Sequence, residues 1–127
     1  HGKKSIGVGG HINPCDQPSS DEKNDIFQNA CQRELHEELV LPKDVNLDLN
    51  PIGIINDDTT EVGAVHLGLV YTLKADDFDV AIRETSAMEG EFKTLGELQK
   101  LAASSASPFE TWSSFLILSQ IFELQNC

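Results

Sequence analysis

The sequence predicts an α+β fold with a mixed sheet, because helices and strands alternate irregularly and neighbouring strands pair locally. An amphipathic helix is predicted over 25–40, a strand pair over 50–56 and 62–74, and a strongly apolar helix over 109–125. Strands joined by a short turn do not build the doubly wound parallel sheet that regular strand–helix alternation gives. At 127 residues, the chain is expected to form a single domain over 1–127.

The first predicted elements lead into the amphipathic helix. Residues 4–12 indicate a short strand broken by glycines, and residues 13–24 indicate a polar loop with two prolines. Asp25 and Gln28 have the spacing of a capping box at the start of the helix. Pro42 lies just beyond its predicted end.

The rest of the chain follows from turn signals and apolar periodicity. Residues 57–60 are typical of the turn between the paired strands. The remaining predictions are a loop over 75–79, short strands near 80–84 and 90–94, and helices over 95–103 and 109–125.

Charge and cysteine content limit the classes of function. Nine Lys and Arg against 21 Asp and Glu give a net charge of −12, without the basic surface that nucleic acids or anionic membranes require. A phosphorylated small molecule remains a suitable partner if cations bridge the two negative charges, although the acid excess could serve solubility alone. The cysteines Cys15, Cys31 and Cys127 are too few for a disulfide framework, so a reducing cytoplasm is expected.

The predicted helix over 25–40 carries acidic residues on its apolar face. At about 100° per residue, that face holds five apolar residues: Phe27, Ala30, Cys31, Leu35 and Leu39. Glu34 and Glu38 fall within the same face and Glu37 at its edge, whereas Arg33 falls on the opposite side. Glutamates on helices are usually solvated, but burying an unpaired carboxylate is costly. A hard divalent cation such as Mg²⁺ or Mn²⁺ would offset that cost, which favours a metal site.

The segment RELHEELVL at 33–41 resembles the core of the Nudix hydrolase signature. Asp25, with seven residues between it and Arg33, occupies the position of the signature's first Glu, and GVGGHI at 7–12 resembles the family's glycine pair. The match covers about a quarter of the chain. It implies an α/β/α sandwich with a mixed sheet and hydrolysis of a diphosphate linkage by water attack on phosphorus.

Three positions depart from the signature. Val40 replaces the glycine that usually follows the helix, Ser19 replaces the first glycine, and Asp25 is shorter than Glu and equally suited to capping the helix. The glycine pair also lies close to the beginning of the chain. The family's first one or two strands are therefore expected to be missing from this chain or to lie upstream of it.

The resemblance implies a role for each matching residue. Glu37 and Glu38 would ligate the metal together with the backbone carbonyl of Gly10 or its neighbour, and Glu34 would complete the site or position the attacking water. Arg33 would orient a catalytic glutamate, a role compatible with an ion pair to Glu37 one turn later.

Many members of the family add an acid from a distant loop as general base or further metal ligand. The candidates here are Glu84, Glu89 and Glu91, with Glu89 preferred because Gly90 would let the loop bend. Asp57 and Asp58 are weaker candidates because they suit a hairpin turn. His11 and His66 could contact substrate, but a lone histidine on a strand is more often structural.

Three functions remain open from the sequence. The first is a metal-dependent hydrolase of a phosphate anhydride, acting on a small phosphorylated molecule and not on nucleic acid or membranes, with a homodimer left open. The second is a Nudix-like sensor that binds such a ligand without cleaving it. The third is an acidic interaction domain without a specific cation site.

Overall fold

The computed structural model describes residues 2–43, 47–83 and 85–124. Its helices are α1 (Ile26–Glu38), α2 (Glu61–Ala64), α3 (Leu95–Ala102), α4 (Thr111–Leu118) and α5 (Ile121–Leu124). Its strands are β1 (Leu39–Val40), β2 (Leu49–Ile55), β3 (Gly68–Leu73) and β4 (Ala81–Ile82). Among the described residues, β1 pairs with β4 and β2 pairs with β3. The α+β class predicted from the sequence is confirmed.

The chain forms two compact groups of residues. One comprises Val8–Asn50 and Thr72–Glu91 and contains α1 with the β1–β4 pair. The other comprises His1–Gly7, Pro51–Tyr71 and Phe92–Cys127 and contains the other helices. No helix within the described residues is both long and apolar enough to cross a membrane.

Helix α1 begins as predicted and ends earlier than predicted. Asp25 caps it: its carboxylate accepts from the Gln28 amide at 2.8 Å, and the Gln28 side chain accepts from the Asp25 amide at 3.0 Å. Leu39 leaves the helical conformation, with φ −119° and ψ 149°. It enters β1, which pairs antiparallel with β4, placing Leu39 opposite Ile82. The predicted helix over 25–40 is therefore wrong at its last two residues.

In the second group, α3 and α4 pack together around a small apolar core. That core comprises Ala102, Phe109 and Ile117, with Ile6, Leu98 and Leu101 packed against it. Ser113 is fully buried, and its hydroxyl accepts a hydrogen bond from the Ile6 amide at 3.0 Å. The bond satisfies a hydroxyl that would otherwise be costly to bury.

The predicted strand over 4–12 is wrong. Lys4 alone forms a bridge, donating to the Pro108 carbonyl at 2.7 Å and accepting from the Glu110 amide at 2.8 Å. Gly7 has a φ of +65°, in the left-handed region that interrupts extended backbone. The glycines therefore end the pairing after one residue instead of allowing a strand.

Two further predicted elements are only partly correct, and a third is absent. The strand over 62–74 begins only at Gly68, because Thr60 caps the short helix α2 by accepting from the Gly63 amide at 2.9 Å. The helix over 109–125 is interrupted at Gln120, whose φ is +63°. No strand forms over 90–94, where the chain is irregular.

The core around Ile117 provides a test of stability. Ile117 is 1% exposed, so Ile117→Ala should lower the free energy of unfolding by about 2–5 kcal/mol, from lost burial and the cavity left behind. Ile54 is 65% exposed, so the matched Ile54→Ala should cost less than about 1 kcal/mol. Denaturant unfolding would measure both, and equal losses in the two variants would contradict this description of the core.

Candidate active site

A buried ion pair joins α1 to the 3-10 turn Pro14–Asp16. Asp16 is 3% exposed, and its two carboxylate oxygens accept from Arg33 Nε at 2.8 Å and Nη2 at 3.0 Å. The Asn13 amide donates to the same carboxylate at 2.7 Å. The Arg33 guanidinium and this amide hold the pKa of Asp16 below its usual range, and Asp16 and Glu34 together raise the pKa of Arg33. Both groups are therefore charged over the physiological pH range.

The same guanidinium reaches the acidic residues of α1. Arg33 Nη1 lies 2.9 Å from Glu34 Oε1 and 3.4 Å from both carboxylate oxygens of Glu37. Arg33 Nη2 also donates to the His11 carbonyl at 2.7 Å. Arg33 lies on the side of α1 opposite the predicted apolar face, and the 3-10 turn covers that side, which leaves the Arg33 side chain 21% exposed.

Gly10 lies directly against the carboxylate of Glu34. A Cβ atom at position 10 would overlap the carboxyl end of that side chain. Because any other residue would displace Glu34, this close approach requires glycine. The His11 carbonyl already accepts a hydrogen bond from Arg33. The Gly10 carbonyl is therefore the better candidate for a metal ligand than the His11 carbonyl.

The exposure of the three glutamates follows the helical wheel. The side chain of Glu34 is 19% exposed and that of Glu37 is 58% exposed, while Glu38 is half-buried. Burial, followed by the nearby charges of Glu34 and Glu37, raises the pKa of Glu38 above its usual value. The apolar side of the wheel is less buried than expected, because Phe27 remains 38% exposed.

Arg83 closes the end of α1 where the family signature would have glycine. Its guanidinium donates to the carbonyls of His36 at 2.8 Å and Leu39 at 3.0 Å, and its amide donates to the Glu38 carbonyl at 2.9 Å. The carbonyls of His36 and Glu38 are among the last four of α1, which have no partner within the helix. The departure at Val40 is therefore accommodated by Arg83, which directly follows β4, and by the β1–β4 pairing.

The loop with the candidate downstream acids lies near this end of α1. A Cβ at Gly90 would approach Ile82 Cδ1 to 2.8 Å, and Ile82 is the β-partner of Leu39, which follows Glu38. Gly90 thus permits close packing against β4. Glu89 and Glu91, on either side of it, are exposed, and Glu84 lies outside the described residues.

The weaker candidates lie in the other group of residues. Asp57 is 9% exposed and folds back on its own turn, accepting hydrogen bonds from the Thr59 amide and hydroxyl. The His66 ring contacts the Val62 carbonyl in the segment just after α2. Asp58 is an exposed residue of the same turn as Asp57. Asp57 therefore has a structural role as a turn residue.

The carboxylates of α1 have the donor chemistry of a hard divalent cation. Glu34, Glu37 and Glu38, with the Gly10 carbonyl, offer the oxygen atoms that Mg²⁺ and Mn²⁺ prefer. In the described part of the chain, no three His, Cys, Asp or Glu side chains are arranged closely enough to hold a metal together. The donor types fit the cation, and the close approach of Glu34 to Gly10 brings an acid to the glycine backbone.

Sequence reasoning missed two residues of this site. Asp16 looked like any acid of a polar loop, although the Asn13–Asp16 spacing is that of a short capping box. Arg83 is separated from its partners in α1 by more than forty residues, and no local pattern marks it.

The chain has relatives in both sequence and structure. No protein-family model matches the chain. Protein YmaB of Bacillus subtilis (strain 168) is 30% identical over 118 residues, covering 92% of this chain and 55% of YmaB. The crystal structure of Tm1382, provisionally assigned as a Nudix hydrolase, matches with a TM-score of 0.71 and 28% identity, covering 94% of this chain and 59% of Tm1382. The chain thus spans little more than half the length of either relative.

The raised pKa of Glu38 predicts how stability depends on pH in metal-free protein. The folded state favours the protonated carboxyl, so its contribution is complete below the usual value of 4.5 and is lost as pH rises through the higher folded value. In EDTA, Glu38→Gln should therefore be more stable than wild type at pH 7, and the gap should close below pH 4.5. Thermal unfolding against pH would measure it, with Glu89→Gln as an exposed control. A gap that widens as pH falls would contradict the prediction.

Proposed function

We propose that this chain, which has a Nudix-like fold, is a divalent-metal-dependent hydrolase of a phosphate anhydride such as a nucleoside diphosphate linked to a second group. The supporting observation is the acid cluster of α1 around Arg33. This guanidinium contacts Asp16, Glu34 and Glu37, while Glu38 has no ion-pair partner among the described residues. The four carboxylates therefore carry more negative charge than the Arg33 guanidinium neutralises. A bound divalent metal ion would balance the excess.

The glutamates and the arginine of α1 would have separate roles at such a site. Glu37, Glu38 and Glu34 would hold Mg²⁺ or Mn²⁺ together with the carbonyl of Gly10. A bound cation of this kind neutralises phosphate charge and makes water more acidic. Arg33 fixes the carboxylate of Glu34 through the contact at 2.9 Å, so that Glu34 presents a constant orientation to the cation or to the attacking water.

A general base would accept the proton of the attacking water. Among the described candidates, Glu89 and Glu91 flank Gly90, whose packing on β4 keeps their loop next to the strand pair that follows Glu38. This packing supports a role for the loop without distinguishing between the two acids. Glu84 stays a candidate on sequence grounds.

The substrate class follows from charge. A small phosphorylated molecule suits a cluster of carboxylates bridged by cations, whereas the net charge of −12 disfavours nucleic acids and anionic membranes. The cytoplasm remains the proposed compartment, and a homodimer remains a prediction.

The test of the enzyme proposal is a hydrolysis screen with the purified chain. Nucleoside triphosphates, dinucleotides, sugar nucleotides and prenyl diphosphates would be incubated with Mg²⁺, with Mn²⁺ or with EDTA. We expect release of a phosphorylated product that requires the cation. Saturable ligand binding without any turnover would instead support the sensor, and the absence of cation binding by calorimetry would support a plain interaction domain.

Glu38 should be the most sensitive position in that assay. Glu38→Gln removes a charge on the inward side of α1 and should lower turnover by at least about a hundredfold. Glu61→Gln, an exposed glutamate of α2, is the matched control and should retain wild-type turnover. Near-normal activity of Glu38→Gln would refute the site assignment.

The downstream base should be identifiable from pH–rate profiles. Glu84→Gln, Glu89→Gln and Glu91→Gln would be compared one at a time at saturating Mg²⁺. The variant that loses the base should fall by about a hundredfold in kcat and lose the acidic limb of its profile. Unchanged profiles in all three variants would exclude this loop as the source of the base.

A further inference from the structure

We propose that Asp16 is a positioning residue for the α1 site, holding Arg33 so that Arg33 in turn fixes Glu34. The proposal rests on the proposed function, in which Glu34 serves the cation or the attacking water. Asp16 lies at the end of the 3-10 turn before α1 and was not among the candidate residues that the sequence singled out.

The planar guanidinium of Arg33 links Asp16 to Glu34. Asp16 binds one edge of Arg33, with Nε at 2.8 Å and Nη2 at 3.0 Å from its two oxygens. Because the guanidinium is planar and rigid, fixing these two nitrogens also fixes the direction of Nη1. Nη1 then lies 2.9 Å from Glu34 Oε1. The orientation of Glu34 therefore depends on a carboxylate that does not touch it in this arrangement.

Asp16 is itself held rigidly in place. It is 3% exposed, and the Asn13 amide donates to its carboxylate at 2.7 Å. Its backbone carbonyl accepts from Asn29 Nδ2 at 3.0 Å. Asn29 and Arg33 are four residues apart on the same side of α1, so two contacts fix the 3-10 turn to the helix.

Asp25 has a different function in the structure. Its carboxylate accepts from the Gln28 amide at 2.8 Å and caps the helix. No described ion pair joins it to Arg33. Asp25 thus stabilises the beginning of α1, whereas Asp16, nine residues earlier, makes the contact with Arg33.

The first test needs no turnover and measures the Arg33 side chain by ¹⁵N–¹H NMR. In wild type, the Arg33 Nε–H signal, assigned by its loss in Arg33→Lys, should be protected from solvent exchange by its bond to Asp16. In Asp16→Asn that protection should fall by about tenfold or more, whereas Asp25→Asn should retain it. Unchanged protection in Asp16→Asn would overturn the proposal even if the chain proved not to be a hydrolase.

The second test uses the substrate found in the hydrolysis screen, at saturating Mg²⁺. Asp16→Asn should lower kcat by about tenfold or more and change KM by no more than about twofold. Because kcat is calculated per folded molecule, loss of folded protein alone would not produce this result. Asp25→Asn keeps an oxygen that can cap the helix and should leave kcat unchanged. A normal kcat in Asp16→Asn, or the loss appearing in Asp25→Asn instead, would overturn the proposal.

A double variant separates positioning from a general structural effect. If Asp16 acts through Glu34, then Asp16→Asn combined with Glu34→Gln should be no slower than Glu34→Gln alone. Multiplicative losses would contradict the proposal. If Asp16→Asn does not fold, Arg33→Lys takes its place, because lysine keeps the positive charge but lacks the planar guanidinium. A near-normal kcat in Arg33→Lys would also contradict the proposal.

Discussion

The arrangement of the site depends on one guanidinium surrounded by carboxylates. Arg33 contacts the carboxylates of Asp16, Glu34 and Glu37 and the backbone carbonyl of His11. A single side chain therefore joins the segment around Gly10 and His11, the 3-10 turn and the acidic residues of α1. Arginine suits this role because its five N–H groups lie in one plane with fixed directions. A lysine could supply the charge but could not hold these partners at defined angles. The negative charge that Arg33 leaves unbalanced on α1 is the physical basis of the proposed cation site.

The backbone around α1 supports that arrangement at both ends. Asp25 and Gln28 satisfy the first amides of the helix, and Arg83 satisfies carbonyls at its end. Two glycines permit the close contacts that position the neighbouring loops, with Gly10 against Glu34 and Gly90 against Ile82. These hydrogen bonds and close contacts determine where the acids of α1 lie.

Local signals in the sequence were sufficient for α1 and the inward position of Glu34, because capping and helical periodicity depend on residues within a few positions of each other. Contacts distant in sequence were not recoverable. Asp16 lies 17 residues before Arg33, and Arg83 lies 47 residues after His36, so no pattern within a few positions links these partners. The strand predicted over 62–74 begins only at Gly68, because Thr60 caps a short helix over Glu61–Ala64 and this cap outweighs the strand propensity of Val62. The likeness to Tm1382 agrees with the Nudix-like fold that the short signature implied.

The most direct test of a metal-dependent site is the position of Mn²⁺ in crystals of this chain, located by its anomalous scattering. One or more peaks are expected within direct coordination distance of carboxylate oxygens of Glu37 and Glu38, with Glu34 or the Gly10 carbonyl completing the ligands. Those peaks should be lost in Glu38→Gln crystals grown under the same conditions. Manganese bound only at other surface acids, or unchanged peaks at α1 in that variant, would contradict the account.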